Sequence, residues 1–216
     1  MISAKDQEEL FRLIADYLPR DIDCLAIGGT AMMFLGYTGL TKDLDIVFRS
    51  EEDRKAFVQA IEALGYRKGS LLIYDEKRRA QKNLPVVYSR GEERFDLFVK
   101  QVFGFPLEFE GSHVQRQDFI GKKELRLFVL SEEMLVLLKS VTNREKDFED
   151  IERIAKAKAE LDWDWLVLTA SRHRDRVPWL LVDLEEKLRR LQKMVFIKER
   201  VFKAIYATEG RAEKRK

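Results

Sequence analysis

Residues 25–48 read LAIGGTAMMFLGYTGLTKDLDIVF. An apolar run stops at Gly28-Gly29, and Asp43 and Asp45 follow, one leucine apart, inside a second apolar run over 43–49. The first run, 22–27, predicts a short buried strand, and the glycines open a predicted helix that begins at Gly28-Gly29-Thr30 and finishes near Gly36. In a strand, side chains alternate between faces, so Asp43 and Asp45 share one face while Leu44 and Ile46 point into the core. Two neighbouring carboxylates repel, and one is driven to a raised pKa unless a cation neutralises the pair. Hard divalent cations take oxygen ligands, which makes the pair a candidate metal site.

The stretch RFDLFVK, 94–100, repeats the pattern, with Asp96 on the face opposite Phe95 and Leu97. A third carboxylate on a neighbouring strand completes a site for two Mg²⁺ ions, which activate an attacking oxygen and steady a leaving phosphate oxygen. The main-chain N–H groups of Gly28, Gly29 and Thr30, at the positive end of a helix, suit a phosphate, and the Thr30 hydroxyl adds a donor. Taken singly, a D-x-D is an ordinary solvated edge and a Gly-Gly an ordinary tight turn. The order strand, GG[ST], helix, strand-borne D-x-D and a later strand-borne Asp is what points to a nucleoside triphosphate site.

Working outward, a helix is predicted from Ala4 to Leu18, stopped by Pro19. Ser50 with Glu51 and Glu52 predicts a helix N-terminus, and Gly65 its end. Short strands near 71–74 and 84–89 flank a basic connection with Lys77, Arg78, Arg79 and Lys82, readable as a solvated hairpin tip or as a grip on polynucleotide phosphates. Residues 101–123 read as irregular, and 125–131 as a last strand or an entry segment. From Ser131 the pattern is helical nearly to the end, broken around Asp162 and before Pro178. The expected fold is α/β (α+β): a small mixed sheet with flanking helices over 1–130, then a helical domain over 131–216.

The 216 residues are 45% hydrophobic with four prolines, which argues against disorder except at the ends. A formal net charge of +2 gives no global attraction to nucleic acid. The basic C-terminal tail, RAEKRK, is read as a solubilising end or an RNA contact. The single Cys24 forms no internal disulfide. His113 and His173 lack metal-type spacing, and no Ser-His-Asp set or C-x-x-C pair offers a rival chemistry. The start MISAKDQEEL has no apolar signal core and no run reaches membrane-spanning length, so a cytoplasmic protein with no membrane contact is expected.

GGTAMMFLGYTGLTKDLDIVF resembles the nucleotidyltransferase-fold signature of the DNA polymerase beta superfamily. TKDLDIVF is most similar to the AbiEii/MenA-like toxin subgroup and its small archaeal and bacterial relatives. Over residues 22–100 the resemblance implies phosphate binding by Gly28, Gly29 and Thr30 and metal binding by Asp43, Asp45 and Asp96. It implies transfer of a nucleoside monophosphate from ATP or another NTP, with two Mg²⁺ ions, to an acceptor hydroxyl on a tRNA or RNA 3′ end or a protein side chain. It further implies a toxin–antitoxin component with a cognate partner; a nucleotide- or protein-binding module without turnover is the alternative.

A second constellation, Lys139, Arg144, Lys146, Asp147 and Asp150, begins the helical half. Read as one helix, it places Lys139 and Lys146 two turns apart on one face and Asp147 and Asp150 at i,i+3, a charged solvent face with internal ion pairs. The resemblance implies more: Lys139 on the nucleotide phosphates and Asp147 assisting at the active site; Asp150 is read as holding a neighbouring loop.

Overall fold

The computed structural model describes residues 2–69, 84–142, 144–158 and 160–213. The strand expected near 71–74, the basic residues Lys77, Arg78, Arg79 and Lys82, and the last residues of the RAEKRK tail lie outside the described residues. The chain divides into two compact units, Met1–Ser131 and Glu132–Lys216.

The first unit runs β1 (Ile2–Ser3), α1 (Ala4–Tyr17), β2 (Ile22–Ala26), α2 (Gly28–Phe34), β3 (Leu40–Thr41), β4 (Asp43–Phe48), α3 (Glu51–Ala63), β5 (Arg67–Lys68), β6 (Val86–Arg90), β7 (Glu93–Val99), β8 (Gln101–Val102), β9 (Phe105–Pro106), β10 (Val114–Ile120) and β11 (Glu124–Leu130). Among the described residues seven strands form one mixed sheet in the order β10-β11-β2-β4-β7-β6-β5, with β4 parallel to β7 and antiparallel to β2. Because β4 has a partner along both edges, its backbone is held on either side.

Local chemistry sets the helix ends. Ser3 Oγ accepts the Asp6 N–H at 3.2 Å and the Asp6 carboxylate accepts the Ser3 N–H at 3.1 Å, a reciprocal cap on α1. Ser50 Oγ accepts the Asp53 N–H at 3.1 Å to open α3, and Gly65, at φ +91°, closes it in the left-handed region. One face of the sheet, with Leu44, Ile46, Phe48, Phe95, Leu97, Leu125 and Leu127, is fully buried. Phe57 of α3 packs between Phe48 and Phe95, at ring-centroid distances of 5.1 and 5.4 Å, and Phe11 of α1 lies 5.4 Å from Phe119. Helices α1 and α3 therefore cover this face, and strand alternation sends Asp43, Asp45, Arg94 and Asp96 to the other.

The segment 101–123, expected to be irregular, contains β10, whose seven residues pair antiparallel with β11 from Val114↔Leu130 to Ile120↔Glu124. Its sequence, VQRQDFI, lacks the alternation that marks a half-buried strand, because β10 is the outermost strand and buries only Phe119. Ion pairs do the rest: Arg116 reaches Asp118 at 2.6 Å and Glu124 of β11 at 3.2 Å. Charge along an edge strand also discourages pairing with other chains. The 125–131 segment is a strand, β11, parallel to β2.

The second unit consists of α4 (Glu132–Ser140), α5 (Glu145–Ala157), α6 (Trp163–His173), α7 (Leu180–Leu191) and α8 (Glu199–Glu213). The breaks around Asp162 and before Pro178 are present, and two more fall after Ser140 and after Leu191. The break after Ser140 corrects one expectation: Lys139 lies in the last turn of α4, Lys146 in the first turn of α5, and the two do not share a helix face. Glu145 and Asp147 in the first turn of α5 favour a fresh helix start there, since carboxylates stabilise the positive end. Among the described residues no helix is long and apolar enough to cross a membrane.

Candidate active site

The parallel register of β4 and β7 sets Asp45 directly beside Asp96 and Asp43 beside Arg94. All four side chains leave the same face of two adjacent strands, which lie about 4.8 Å apart in a sheet. Asp96 is buried, with a side chain only 3% exposed, while that of Asp43 is 41% exposed.

The β2–α2 turn approaches this group closely. The Ile27 N–H donates to the Asp45 carbonyl at 3.1 Å, and the Asp45 N–H donates to Thr30 Oγ1 at 2.8 Å. Asp45 is thus fixed through both of its main-chain polar groups. Gly28 adopts φ +52°, and a Cβ at this position would stand 2.4 Å from Asp45 Oδ2. Only glycine brings the helix tip so near the carboxylate. The residue before the tip, Ile27, has no side-chain acceptor and makes no cap to the first turn of α2.

Thr30 itself is fully buried, and its hydroxyl serves the main chain of β4. Thr41 does the same one step away: Oγ1 donates to the Asp43 carbonyl at 3.0 Å and would lie 2.9 Å from a Cβ on Gly29.

Arg94 holds two of the three aspartates. Its Nε lies 2.9 Å from Asp96 Oδ1, and its Nη2 lies 3.1 Å from Asp96 Oδ2 and 2.8 Å from Asp43 Oδ2. This residue did not figure in the sequence reading. The two-residue spacing of Arg94 and Asp96 on one strand was available to show that they share a face. The contact with Asp43 depends on interstrand register, which local pattern does not reveal. Among the described residues no group of three Asp, Glu, His or Cys side chains is arranged, as it stands, to hold a metal ion.

The second constellation is not spread along one helix, and three of its five members leave the solvent. Lys139, Asp147 and Asp150 are all buried within the helical unit. Lys139 Nζ donates to Asp150 Oδ2 at 2.6 Å and lies 3.5 Å from Asp147 Oδ1, tying the last turn of α4 to the first turns of α5. Arg144 clasps both oxygens of Asp147, Nε on Oδ2 at 2.6 Å and Nη2 on Oδ1 at 2.8 Å, and the Thr142 hydroxyl adds a further donor. Lys146 points to solvent.

Burial pushes the Asp147 carboxyl up, but the Arg144 hydrogen bonds, the Lys139 charge and the Thr142 hydroxyl outweigh it and hold the pKa below the ordinary value. A depressed folded-state pKa contributes stability that is full above the unfolded value of about 3.9 and is lost as pH falls through the folded value. Asp147→Asn should therefore cost about 3 kcal/mol at pH 7, by stranding part of a buried ion-pair network. That deficit should shrink steadily below about pH 4. Urea denaturation of both proteins between pH 7 and pH 2 measures it; a deficit independent of pH would deny Asp147 its charged role.

Residues 8–196 match a family described as "Nucleotidyltransferase of unknown function (DUF6036)". A comparison with curated proteins finds no match. Among solved structures, the chain is similar to ANT(2")-Ia in a crystal structure with adenylyl-2"-tobramycin. The TM-score is 0.50 at 18% identity, covering 79% of this chain and 98% of that one. At this identity the likeness concerns the fold, a nucleotidyltransferase-like mixed sheet with helices. A second solved structure, JHP933 from Helicobacter pylori, aligns over 98% of this chain and 94% of that one, at 15% identity and a TM-score of 0.43.

Proposed function

From the premise that the chain belongs to this nucleotidyltransferase family, we propose that it moves a nucleoside monophosphate from an NTP to an acceptor hydroxyl and releases pyrophosphate, with Mg²⁺ held by Asp43, Asp45 and Asp96. The observation that carries this reading is the approach of Gly28 to Asp45 Oδ2 beside a register partner, Asp96. It joins a helix tip suited to phosphate with a strand face suited to a hard cation. Three carboxylates and no softer donor are the right ligand chemistry for Mg²⁺, and a cradle that a single Cβ would fill leaves no room for another side chain. When bound, Mg²⁺ supplies charge neutralisation on the phosphates and lowers the pKa of the attacking hydroxyl.

The chain's own contribution is positioning. Gly28 and Gly29 let the first-turn N–H groups reach the triphosphate, and Thr30 and Thr41 lock the backbone that carries Asp45 and Asp43. For Lys139 and Asp147 the contacts support a holding role inside the helical unit. The acceptor is an RNA 3′ end, as the resemblance to the AbiEii/MenA-like toxin subgroup implies, or a protein side chain, as in related small adenylyltransferase antitoxins; the same resemblance carries the toxin–antitoxin reading.

The test is incubation with each α-labelled NTP, Mg²⁺ and total cellular RNA plus protein. Label that survives protease and is lost to ribonuclease identifies an RNA acceptor, and the converse a protein. Asp43→Asn should transfer nothing. Mg²⁺-dependent NTP binding by calorimetry, without label on any acceptor or release of pyrophosphate, would instead make the chain a nucleotide-binding module.

A further inference from the structure

We propose that Arg94 is a placeholder cation: its guanidinium balances Asp43 and Asp96 in the metal-free protein and competes with a divalent ion for them. The inference rests on the reading of Asp43, Asp45 and Asp96 as metal ligands and adds to it a residue that regulates their availability.

Three features support it. The guanidinium donates from Nη2 to Asp96 Oδ2 at 3.1 Å, its Nε stands 2.9 Å from Asp96 Oδ1 without the alignment of a hydrogen bond, and Nη2 lies 2.8 Å from Asp43 Oδ2, so the one cation faces both carboxylates. Arginine remains charged at every physiological pH, so its charge leaves the site only when the side chain moves. The two contacts are also unequal. The Asp43 carboxylate is 41% exposed and its ion pair is screened by water, whereas the Asp96 carboxylate is 3% exposed and its ion pair is shielded from water.

The sequence of events follows from that inequality. The Asp43 contact gives way first, and the arginine, itself 25% exposed on its side chain, swings toward solvent while Asp43 turns to join Asp45. A released guanidinium beside the Gly28 tip is a fitting partner for the triphosphate, since its planar fork matches phosphate oxygens. Metal and nucleotide then favour each other's binding, and the empty protein does not present three bare carboxylates to every cation in solution.

Mn²⁺ affinity, read by electron paramagnetic resonance without nucleotide, tests this in the full chain. Arg94→Met should bind Mn²⁺ about tenfold more tightly than the natural protein, because a competing charge-assisted contact is gone. Arg94→Lys, which keeps the charge and loses the fork, should fall between them. The metal-free melting temperature of Arg94→Met should drop and recover on adding Mn²⁺. Equal or weaker Mn²⁺ binding by a folded Arg94→Met, with Arg94→Lys no different from the natural protein, would overturn the proposal and leave Arg94 a structural support. Asp45→Asn separates the two levels: it should abolish Mn²⁺ binding in every background. If Asp45→Asn binds Mn²⁺ as well as the natural protein does, the metal-site reading falls, and the placeholder falls with it.

Discussion

Asp45→Asn should slow transfer of labelled nucleoside monophosphate by on the order of a thousandfold, the scale seen when a preorganised electrostatic group is removed from a reaction centre. The carboxamide has the shape of the carboxylate, and both main-chain bonds of residue 45, to Thr30 Oγ1 and from the Ile27 N–H, survive the change. Strand β4 should therefore keep its register with β7, and the melting temperature should stay within a few degrees of the natural protein or rise slightly, since one of three neighbouring negative charges is gone. What is lost is an anionic oxygen at the point where the Gly28 tip and the Asp96 side chain converge. Single-turnover labelling with the preferred NTP, alongside thermal melts, gives both numbers. A folded Asp45→Asn protein that retains a tenth of the natural rate would remove this aspartate from the chemistry.

The parts of this site that a linear reading reaches are those set by local periodicity. Alternation within DLDIVF and RFDLFVK is enough to place Asp43, Asp45 and Asp96 away from the core, because each carries apolar neighbours that must be buried. The partners of those aspartates are set by pairing between distant segments. Arg94 meets Asp43 only through the parallel β4–β7 register, and Thr30 meets the Asp45 N–H only because β4 returns alongside β2. A hydroxyl at a predicted helix tip reads naturally as a phosphate donor, while its observed bond is to a strand fifteen residues away. Strand β10 escapes for a different reason: at the sheet edge it needs one buried side chain and finds stability in ion pairs, which leave no period to detect. The Lys139 cluster shows the opposite error. Charged residues at helical spacing suggest a solvent face, yet a break after Ser140 folds α5 so that Lys139 is enclosed with Asp147 and Asp150. Charge patterns report exposure only when the chain does not bring their opposites together.

Gly28→Ala should cut transfer by about a hundredfold, and a comparison with two other glycines shows why. An L-residue in the left-handed region costs about 1–2 kcal/mol, so at φ +52° the alanine is strained before any contact is considered. Its Cβ would also stand 2.4 Å from Asp45 Oδ2, closer than such atoms approach, and a tight 3.1 Å from Asp45 Cγ. The carboxylate must turn aside or the α2 tip must lift, and either movement breaks the meeting of anion and helix end on which the proposed phosphate and metal binding depends. At Gly36, φ is +80° and a Cβ would meet nothing within 4 Å, so Gly36→Ala carries strain without the clash. It should lower stability by about 1–2 kcal/mol and leave the transfer rate within about twofold. Gly29→Ala lies between, because its Cβ would sit 2.9 Å from Thr41 Oγ1, a hydroxyl that can yield by a few tenths of an ångström at the cost of its bond to the Asp43 carbonyl. Melting temperatures should thus fall for both Gly28→Ala and Gly36→Ala, while transfer rates should set them far apart. Equal rates in those two variants would mean that close packing of Gly28 against Asp45 is a feature of folding alone.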